Sequence, residues 1–162
     1  MIDPVTTPAG SHLMVLVDGR TYGISMSLVR EVATARTPTV VPGLPDYIRG
    51  VVPFDERPTP VIDPARFMNG PMLVLSPRSC LVYLITGERD SVVAVLIDDI
   101  VAVVDVPLES ERQGQDYKTS PLLAASYLMH AGERVAVMQP QALLSGHRGL
   151  KAPVFSTKEG SL

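Results

Sequence analysis

Carboxylate side chains are the residues of this chain that offer chemistry most directly. Asp98 and Asp99 are adjacent and separate two valine-rich stretches, so together they could supply half of a metal site or a general acid. The alternative is a turn or β-bulge that carries solvated carboxylates, which is the usual outcome between two strands. This turn or bulge is the interpretation that we favour. The remaining acidic candidates are Glu31, Asp63 and Asp105.

Asp63 is better explained as a helix cap than as a general base. It stands directly before Pro64, and the next residues, Ala65-Arg66-Phe67, suit a short helix. A carboxylate at the N-cap accepts hydrogen bonds from early helix N–H groups, and proline is favoured in the first turn.

Nucleophiles and metal ligands are sparse in the sequence. Cys80 is the single cysteine, which excludes an intrachain disulfide, and it begins an apolar stretch where a thiol packs as a small hydrophobe. The three histidines, His12, His130 and His147, lack the spacing of a metal site, and neither a Gly-x-Ser-x-Gly elbow nor a phosphate-binding glycine loop occurs. We therefore predict no catalytic residues, no metal and no cofactor, which favours a binding module over an enzyme.

Composition and charge narrow the class of protein further. Hydrophobic residues make up 46% of the chain and charged residues only 19%, which predicts a well-filled core rather than disorder. A net charge of −3 gives no electrostatic reason to expect nucleic acid as a partner. No apolar run approaches the roughly 18 residues of a membrane span, and no secretory signal is visible at the start. The expected location is the cytoplasm.

The stretch Asp46–Phe67 is the most regular structural unit in the sequence. Two β-branched runs, Val51-Val52 and Val61-Ile62, flank a polar centre at residues 55–58. β-Branched residues favour strands, and a polar centre suits an exposed hairpin tip. With the Asp63-Pro64 helix start behind it, the stretch predicts a strand, a turn, a second strand and a short helix.

Further hairpins are indicated along the rest of the chain. Asp18-Gly19 is a hairpin signal, a turn at 86–90 joins strands at 80–85 and 92–97, and a last hairpin turns at 131–133 before a short helix at 140–144. A polar surface loop is expected at 107–121. We expect a flexible arm at 1–12, one domain at 13–144 and a flexible tail at 145–162.

Two segments of the chain repeat. Leu13–Thr34 aligns without gaps on Leu81–Ala102, and Gly50–Phe67 aligns on Ser126–Leu143. Short strands without a long helix suggest small antiparallel barrels, so the repeat predicts two similar lobes, each with two hairpins and a short closing helix.

Three motifs resemble a known family. They are residues 16–24 with 29–32, residues 45–52 with 60–63, and residues 95–100 with Val103. In this order and spacing they resemble the CheW-like adaptor domain of bacterial chemotaxis, over about residues 13–144. The resemblance implies a mainly β fold of two SH3-like five-stranded β-barrel lobes around a shared core, with short helices.

The resemblance also implies a function and a set of contact residues. It implies a non-enzymatic adaptor that couples the cytoplasmic tip of a chemoreceptor to the regulatory domain of a CheA-type histidine kinase. Other CheW-like domains are further partners, and neither nucleic acid nor direct membrane insertion is involved. A receptor helix could lie in an apolar groove between the lobes. The implied positions at or near partner contacts are Val29, Glu31, Arg49 and Gly50.

The chain departs from the family pattern at one hairpin tip. The family's Asn-Leu-Arg-Gly type sequence is replaced here by Pro53–Glu56, so Asp55 carries a negative charge where a positive one is expected, and Glu56 removes a turn glycine. Ser126 and Gln139 replace a common glycine and aspartate in the second lobe. Reversed charge alters partner choice, which adds Asp55 to the candidate partner-binding residues. The alternative hypothesis is a free-standing small-molecule sensor or enzyme that uses Asp98-Asp99.

Overall fold

The computed structural model describes residues 10–86, 91–105, 112–113 and 120–143. Within them the chain forms short strands, one short α-helix and two 3-10 turns. The strands are β1 Ser11–Val17, β2 Arg20–Ser25, β3 Val29–Thr34, β4 Ile48–Phe54, β5 Arg57–Ile62, β6 Cys80–Ile85, β7 Val92–Ile97, β8 Asp99–Asp105, β9 Arg112–Gln113, β10 Leu123–His130 and β11 Glu133–Met138. The helix α1 is Pro64–Phe67, and the 3-10 turns are Met26–Leu28 and Pro140–Leu143.

The strands form two sheets, which we call lobe 1 and lobe 2. Lobe 1 has six strands in the order β8-β1-β2-β11-β10-β9, and lobe 2 has five in the order β3-β6-β7-β5-β4. The predicted mainly β, two-lobe architecture is confirmed. The sixth strand of lobe 1, β9, is only two residues long.

The two repeated segments are interleaved rather than stacked one after the other. The strand β3 leaves the β1–β2 hairpin and pairs with β6, while β8 leaves the β6–β7 hairpin and pairs with β1. The hairpins that follow also cross, because β5 pairs in parallel with β7 and β11 in parallel with β2. Each lobe therefore contains strands from both halves of the chain.

The gap-free register of the first repeat is wrong. It aligns Val29, the first residue of β3, with Ile97, the last residue of β7. However, β3 ends the strand order of lobe 2 and β8 ends that of lobe 1, so the counterpart of β3 is β8. The cause is a difference in the length of the hairpin loops. Asp18-Gly19 alone joins β1 to β2, whereas the last β6–β7 pair is Ile85 with Val92, which leaves a longer loop. The second repeat holds, because β4, β5 and α1 match β10, β11 and the 3-10 turn at Pro140–Leu143.

One large hydrophobic core joins the lobes. Strand β1 is buried on both faces, as Leu13, Val15 and Val17 join this large core while Met14 packs in a smaller cluster with Leu128. Burial of that many apolar side chains is the main stabilising term for the fold. The predicted shared core is confirmed.

Three tight hairpins share one backbone geometry. Both central residues have positive φ at Asp18-Gly19, at Asp55-Glu56 and at Ala131-Gly132, as type I′ turns require. Glycine adopts such angles without strain, but Glu56 is at φ 63° with a full side chain. The hairpin predictions at these three places are confirmed, but Ser11 and His12, predicted to lie in the flexible arm, belong to β1. Residues 1–9 of the predicted arm, most of the 107–121 loop and the 145–162 tail lie outside the described residues.

Candidate functional site

The tip of the β4–β5 hairpin meets strand β3, and we call this contact region the lobe 2 seam. It comprises β3, Arg36 and residues 53–56. Arg30 Nη2 lies 3.6 Å from Oδ2 of Asp55, and Arg36 Nη2 donates a 3.1 Å hydrogen bond to the carbonyl oxygen of Pro53. Beneath them the rings of Phe54 and Tyr83 stack with centroids 4.1 Å apart. The two edge strands of the sheet are thus brought together, as barrel closure requires.

The seam brings together three of the predicted contact residues. Glu31 is exposed on β3, Val29 is half-buried on the same strand and packs against the core, and Asp55 is exposed at the tip. The β3–β6 register shifts between Val29 and Glu31, which leaves Arg30 as the extra residue of a bulge. Bulges re-aim side chains at sheet edges, and this one accompanies the contact of Arg30 with Asp55.

Arg49 is held inside lobe 2 rather than exposed. Its Nη1 donates to Oδ2 of Asp63 and to the carbonyl oxygen of Leu73, each at 2.9 Å. The Arg49 side chain is only 18% exposed and that of Asp63 is fully buried. Arg49 is thus not an ordinary exposed surface arginine, and its role at an interface stays a prediction.

Asp63 is the N-cap of α1, as predicted. Its Oδ1 accepts a 3.1 Å hydrogen bond from the backbone N–H of Arg66, and its Oδ2 accepts one of 2.9 Å from Leu73. With Arg49 also bound, the buried carboxylate has three donors and is fully engaged.

Gly50 lies where two backbone segments approach closely. Its φ is 139°, and a Cβ added there would overlap the carbonyl oxygen of Thr39. Thr39 forms an isolated antiparallel bridge with Val51 through two 2.9 Å hydrogen bonds. The glycine thus lets the segment after β3 cross to β4, and it is buried. Any contribution of Gly50 to a partner contact stays a prediction.

Asp98 and Asp99 serve the backbone around a bulge. Asp98 Oδ2 accepts a 2.7 Å hydrogen bond from the N–H of Asp18, and the two oxygens of Asp99 accept from Ile100 N and from Arg78 Nη1. The pairing of β8 with β1 shifts register nearby, because Met14 pairs with Ala102 but Val15 pairs with Ile100. Val101 is the extra residue of this bulge, so the acidic pair precedes the bulge, and Asp98 lies at a bend before β8. Among the described residues no three His, Cys, Asp or Glu side chains are grouped closely enough to hold a metal ion.

Gln139 occupies the place that Asp63 has in the first copy. Its Nε2 donates to the carbonyl oxygens of Pro121 and Leu123 at 3.1 and 3.3 Å. An amide donor therefore replaces a carboxylate acceptor. Neutral hydrogen bonds join the end of the β10–β11 hairpin to the segment where that hairpin begins. The side chain of Ser126 lies outside the described residues.

The Cys80 thiol is poorly suited to nucleophilic chemistry. Burial raises the pKa of Cys80 above its usual value, and the nearby carboxylate of Asp99 raises the pKa further. Since the thiolate is the reactive form, a raised pKa makes the group less reactive at neutral pH.

A groove of about 680 Å³ lies where lobe 1 meets α1. Residues of the β1–β2 hairpin, of α1 and the turn after it, and of the β10–β11 hairpin line it, among them Val17, Arg20, Tyr22, Met68, Arg134 and Ala136. The family resemblance implies an apolar groove between the lobes. The observed groove is apolar in part, but exposed Arg20, Glu133 and Arg134 are also among its lining residues.

Sequence reasoning missed the two arginines of the seam. Arg30 lies in β3 and Arg36 follows it, but nothing local in the sequence indicates that they face a hairpin tip more than 15 residues away. The sequence signal that could have indicated Arg30 is its charge. Arg30 is adjacent to the predicted contact residues Val29 and Glu31, and its charge is opposite to that of Asp55.

Comparisons with known proteins point to one family. The profile of the CheW-like domain matches residues 11–148. The chain is 30% identical over 105 residues to the chemotaxis protein CheW of Bacillus subtilis (strain 168). That alignment covers 63% of this chain and 66% of the relative, just under two thirds of the relative's length.

A solved structure supports the fold independently. The crystal structure of the scaffolding protein TtCheW from Thermoanaerobacter tengcongensis superposes with a TM-score of 0.78, covering 89% of this chain and 92% of that chain at 15% identity. Among the described residues, no helix is both long enough and apolar enough to span a bilayer. With a family match over most of its length and the same fold, the chain belongs to the CheW-like domain family.

Proposed function

We propose that this protein is a non-enzymatic adaptor of a chemosensory system. In the cytoplasm it would couple the cytoplasmic tip of a chemoreceptor to the regulatory domain of a CheA-type histidine kinase. The observation that carries the proposal is the contact of Arg30 with Asp55, because it places β3 and the hairpin tip on one surface. Val29, Glu31 and Asp55 can then contact one partner together.

Arg49 and Gly50 would support that surface indirectly, by positioning β4. Arg49 fastens β4 to Asp63, and Gly50 lets the segment that follows β3 lie against β4. Both residues fix the position of β4, which carries the hairpin tip. Their substitution should weaken partner binding by displacing the tip rather than by removing a direct contact.

The negative charge at the tip is compensated within the chain. Arg30 and Asp55 are 44% and 66% exposed, so the surface presents both signs side by side. Asp55→Arg alone would set two arginines against each other. The informative variant is therefore the exchange Arg30→Asp with Asp55→Arg, which keeps the pair and restores a positive tip. It should bind more tightly to a receptor tip that normally faces a positive hairpin.

The test is a binding titration of the purified chain against a chemoreceptor cytoplasmic fragment and against a CheA-type regulatory domain. The unmodified chain should bind at least one of them. Glu31→Arg should weaken that binding by roughly tenfold or more, since a reversed charge at a contact is repelled and left poorly solvated. Asp105→Arg makes the same change of charge on β8 of lobe 1, away from the seam and from the groove, and should leave binding unchanged. Binding to neither partner would overturn the proposal.

In the part of the chain that the structure describes, the contacts of Asp98 and Asp99 do not favour the sensor or enzyme hypothesis. Asp98 and Asp99 are hydrogen-bonded to Asp18, Ile100 and Arg78, which accounts for both carboxylates. Replacing both with Asn should therefore lower stability and leave partner binding intact.

A further inference from the structure

Two arginines lie side by side on the wall of the groove between lobe 1 and α1. Strands β2 and β11 pair in parallel, with Tyr22 opposite Ala136. Continuing that register by two residues toward the hairpin turns places Arg20 beside Arg134. Side chains alternate along a strand, so all four lie on one face of the sheet, and all four line the groove. Since neighbouring strands are about 5 Å apart, the two guanidinium groups can reach one ligand group together.

The charges of this arginine pair are not balanced between the two strands. Like charges on adjacent strands destabilise a sheet, and an anion held between them removes that cost. Within the described part of the chain, Arg20 makes no ion pair and no side-chain hydrogen bond, and the hydroxyl of Tyr22 makes no hydrogen bond. The guanidinium of Arg134 lies 5.1 Å from the centroid of the Tyr127 ring. This cation–π contact orients the guanidinium but supplies no negative charge.

The remainder of the groove suits an apolar group. Its lining includes the apolar side chains Val17, Met68, Leu123 and Ala136 and the ring of Tyr22. The volume of about 680 Å³ lies within the range of roughly 300–1,000 Å³ that is usual for small-molecule sites. Such sites combine apolar walls with a few polar groups that fix the orientation of the ligand. The groove therefore has the size and composition of a small-molecule site.

Two carboxylates limit the charge that a ligand can carry there. Asp18 and Glu133 also line the groove, and Asp18 Oδ2 lies 3.8 Å from the position that a Cβ of Gly70 would occupy, close to the turn after α1. Burial raises the pKa of Tyr22, and Arg20 lowers this pKa more than Asp18 raises it. Positive charge thus dominates beside the Tyr22 hydroxyl, while the two carboxylates would repel a second negative group.

We infer that this groove binds a small monocarboxylic acid with an apolar body. The carboxylate would lie between Arg20 and Arg134, because the guanidinium fork matches the geometry of a carboxylate. The apolar body would pack against Met68 and Ala136. The inference goes beyond the proposed adaptor function, since no residue of the lobe 2 seam lines the groove.

Isothermal titration calorimetry of the full chain with 3-phenylpropionate tests the inference. We expect a dissociation constant below about 1 mM. The amide 3-phenylpropanamide has the same body without the charge, and phenylsuccinate adds a second carboxylate to the same body. Each should bind at least roughly tenfold more weakly, because one loses the arginine contacts and the other meets the acidic side chains. Acetate, which lacks the body, should show no measurable binding.

Variants locate the site within the groove. Arg20→Gln and Arg134→Gln should each weaken 3-phenylpropionate binding by roughly tenfold, and the double variant should lose less than the product, since both arginines hold one carboxylate. Met68→Gln should also weaken binding by making the apolar wall polar. Arg57→Gln is the matched control, because Arg57 is an exposed arginine of β5 outside the groove, and it should have no effect.

Three outcomes would overturn the inference. One is no binding of 3-phenylpropionate at concentrations up to about 10 mM. Another is equal affinity for the acid and its amide, which would mean that the arginines do not contact the carboxylate. The third is an unchanged dissociation constant in Arg20→Gln and Arg134→Gln when circular dichroism shows that both variants are folded. None of these results bears on the adaptor proposal, which is tested with variants of the seam.

Discussion

Arg49 Nη1 lies 2.9 Å from Oδ2 of Asp63, and this ion pair fastens β4 to the first turn of α1. The same oxygen accepts the N–H of Leu73, so one buried carboxylate organises a strand, a helix start and the connector that follows. A buried charge is tolerated only when its partners are all in place. In lobe 1 the equivalent position is the neutral Gln139, so only the lobe 2 hairpin depends on an ion pair at this place.

Removing the buried carboxylate should destabilise the fold strongly. Asp63→Ala leaves the Arg49 guanidinium without its counter-ion, frees the N–H of Leu73 and deletes a helix cap, so we expect a loss of about 3–5 kcal/mol in the free energy of unfolding. Asp46→Ala is the matched control, because Asp46 pairs with Arg66 at the surface, where such pairs contribute about 0–1 kcal/mol. Urea unfolding measures both. Equal losses in the two variants would contradict the buried-pair interpretation.

Gly50→Ala should be among the most damaging single-methyl substitutions in lobe 2. The new Cβ would overlap the carbonyl oxygen of Thr39 at a φ of 139°, so strain and displacement of the Thr39 bridge add together. We expect a loss of more than about 2 kcal/mol in unfolding free energy.

Gly19→Ala is the control for this substitution. Gly19 also has a positive φ, of 80°, but no atom lies within 4 Å of a Cβ placed there. Its cost should be limited to backbone strain of about 1 kcal/mol. A smaller loss for Gly50→Ala than for Gly19→Ala would show that the Thr39 segment moves aside freely.

The local elements of this fold are predictable from sequence and their crossing is not. Asp18-Gly19 and the Asp63-Pro64 pair specify a turn and a helix start through backbone angles and a cap, which act over a few residues. The exchange of β3 and β8 between lobes depends on pairing with β6 and β1 over much longer separations. The longer β6–β7 loop also breaks the gap-free repeat, because inserted loop residues leave no periodic signal.

The candidate site was predictable in its strands but not in its contacts. The motif around Val29 and Glu31 could be located, and so could the unusual charge of Asp55. That Arg30 reaches Asp55 depends on a bulge in β3 and on barrel closure, which no short pattern encodes. Arg49 shows the same limit, since its burial depends on a carboxylate 14 residues away.

Glu56→Gly should stabilise the hairpin tip. Glu56 has a φ of 63° and an exposed side chain, so its substitution relieves backbone strain without removing a buried contact. We expect a gain of roughly 0.5–1 kcal/mol in unfolding free energy, reduced in part by the entropy of glycine in the unfolded chain. Glu133→Gly is the control, since Glu133 begins β11 and glycine in a strand costs stability. A loss of stability for Glu56→Gly would indicate that the glutamate side chain makes a compensating interaction.

Tyr47 should make stability fall at alkaline pH. Burial, together with the neighbouring carboxylate of Asp46, raises the pKa of Tyr47 from 10.0 to about 12. Because the folded pKa lies above the unfolded one, the stabilisation is complete below pH 10 and is lost as pH rises through about 12. Tyr47→Phe keeps the edge-on contact with the ring of Phe67, whose centroid lies 4.8 Å away, but removes the ionisable hydroxyl. Urea unfolding between pH 9 and 12 should therefore show a shallower decline in the variant, with the remaining slope due partly to Tyr22 and Tyr83, whose pKa values burial also raises. The same decline in both proteins would mean that Tyr47 ionises equally well in the folded and unfolded chain.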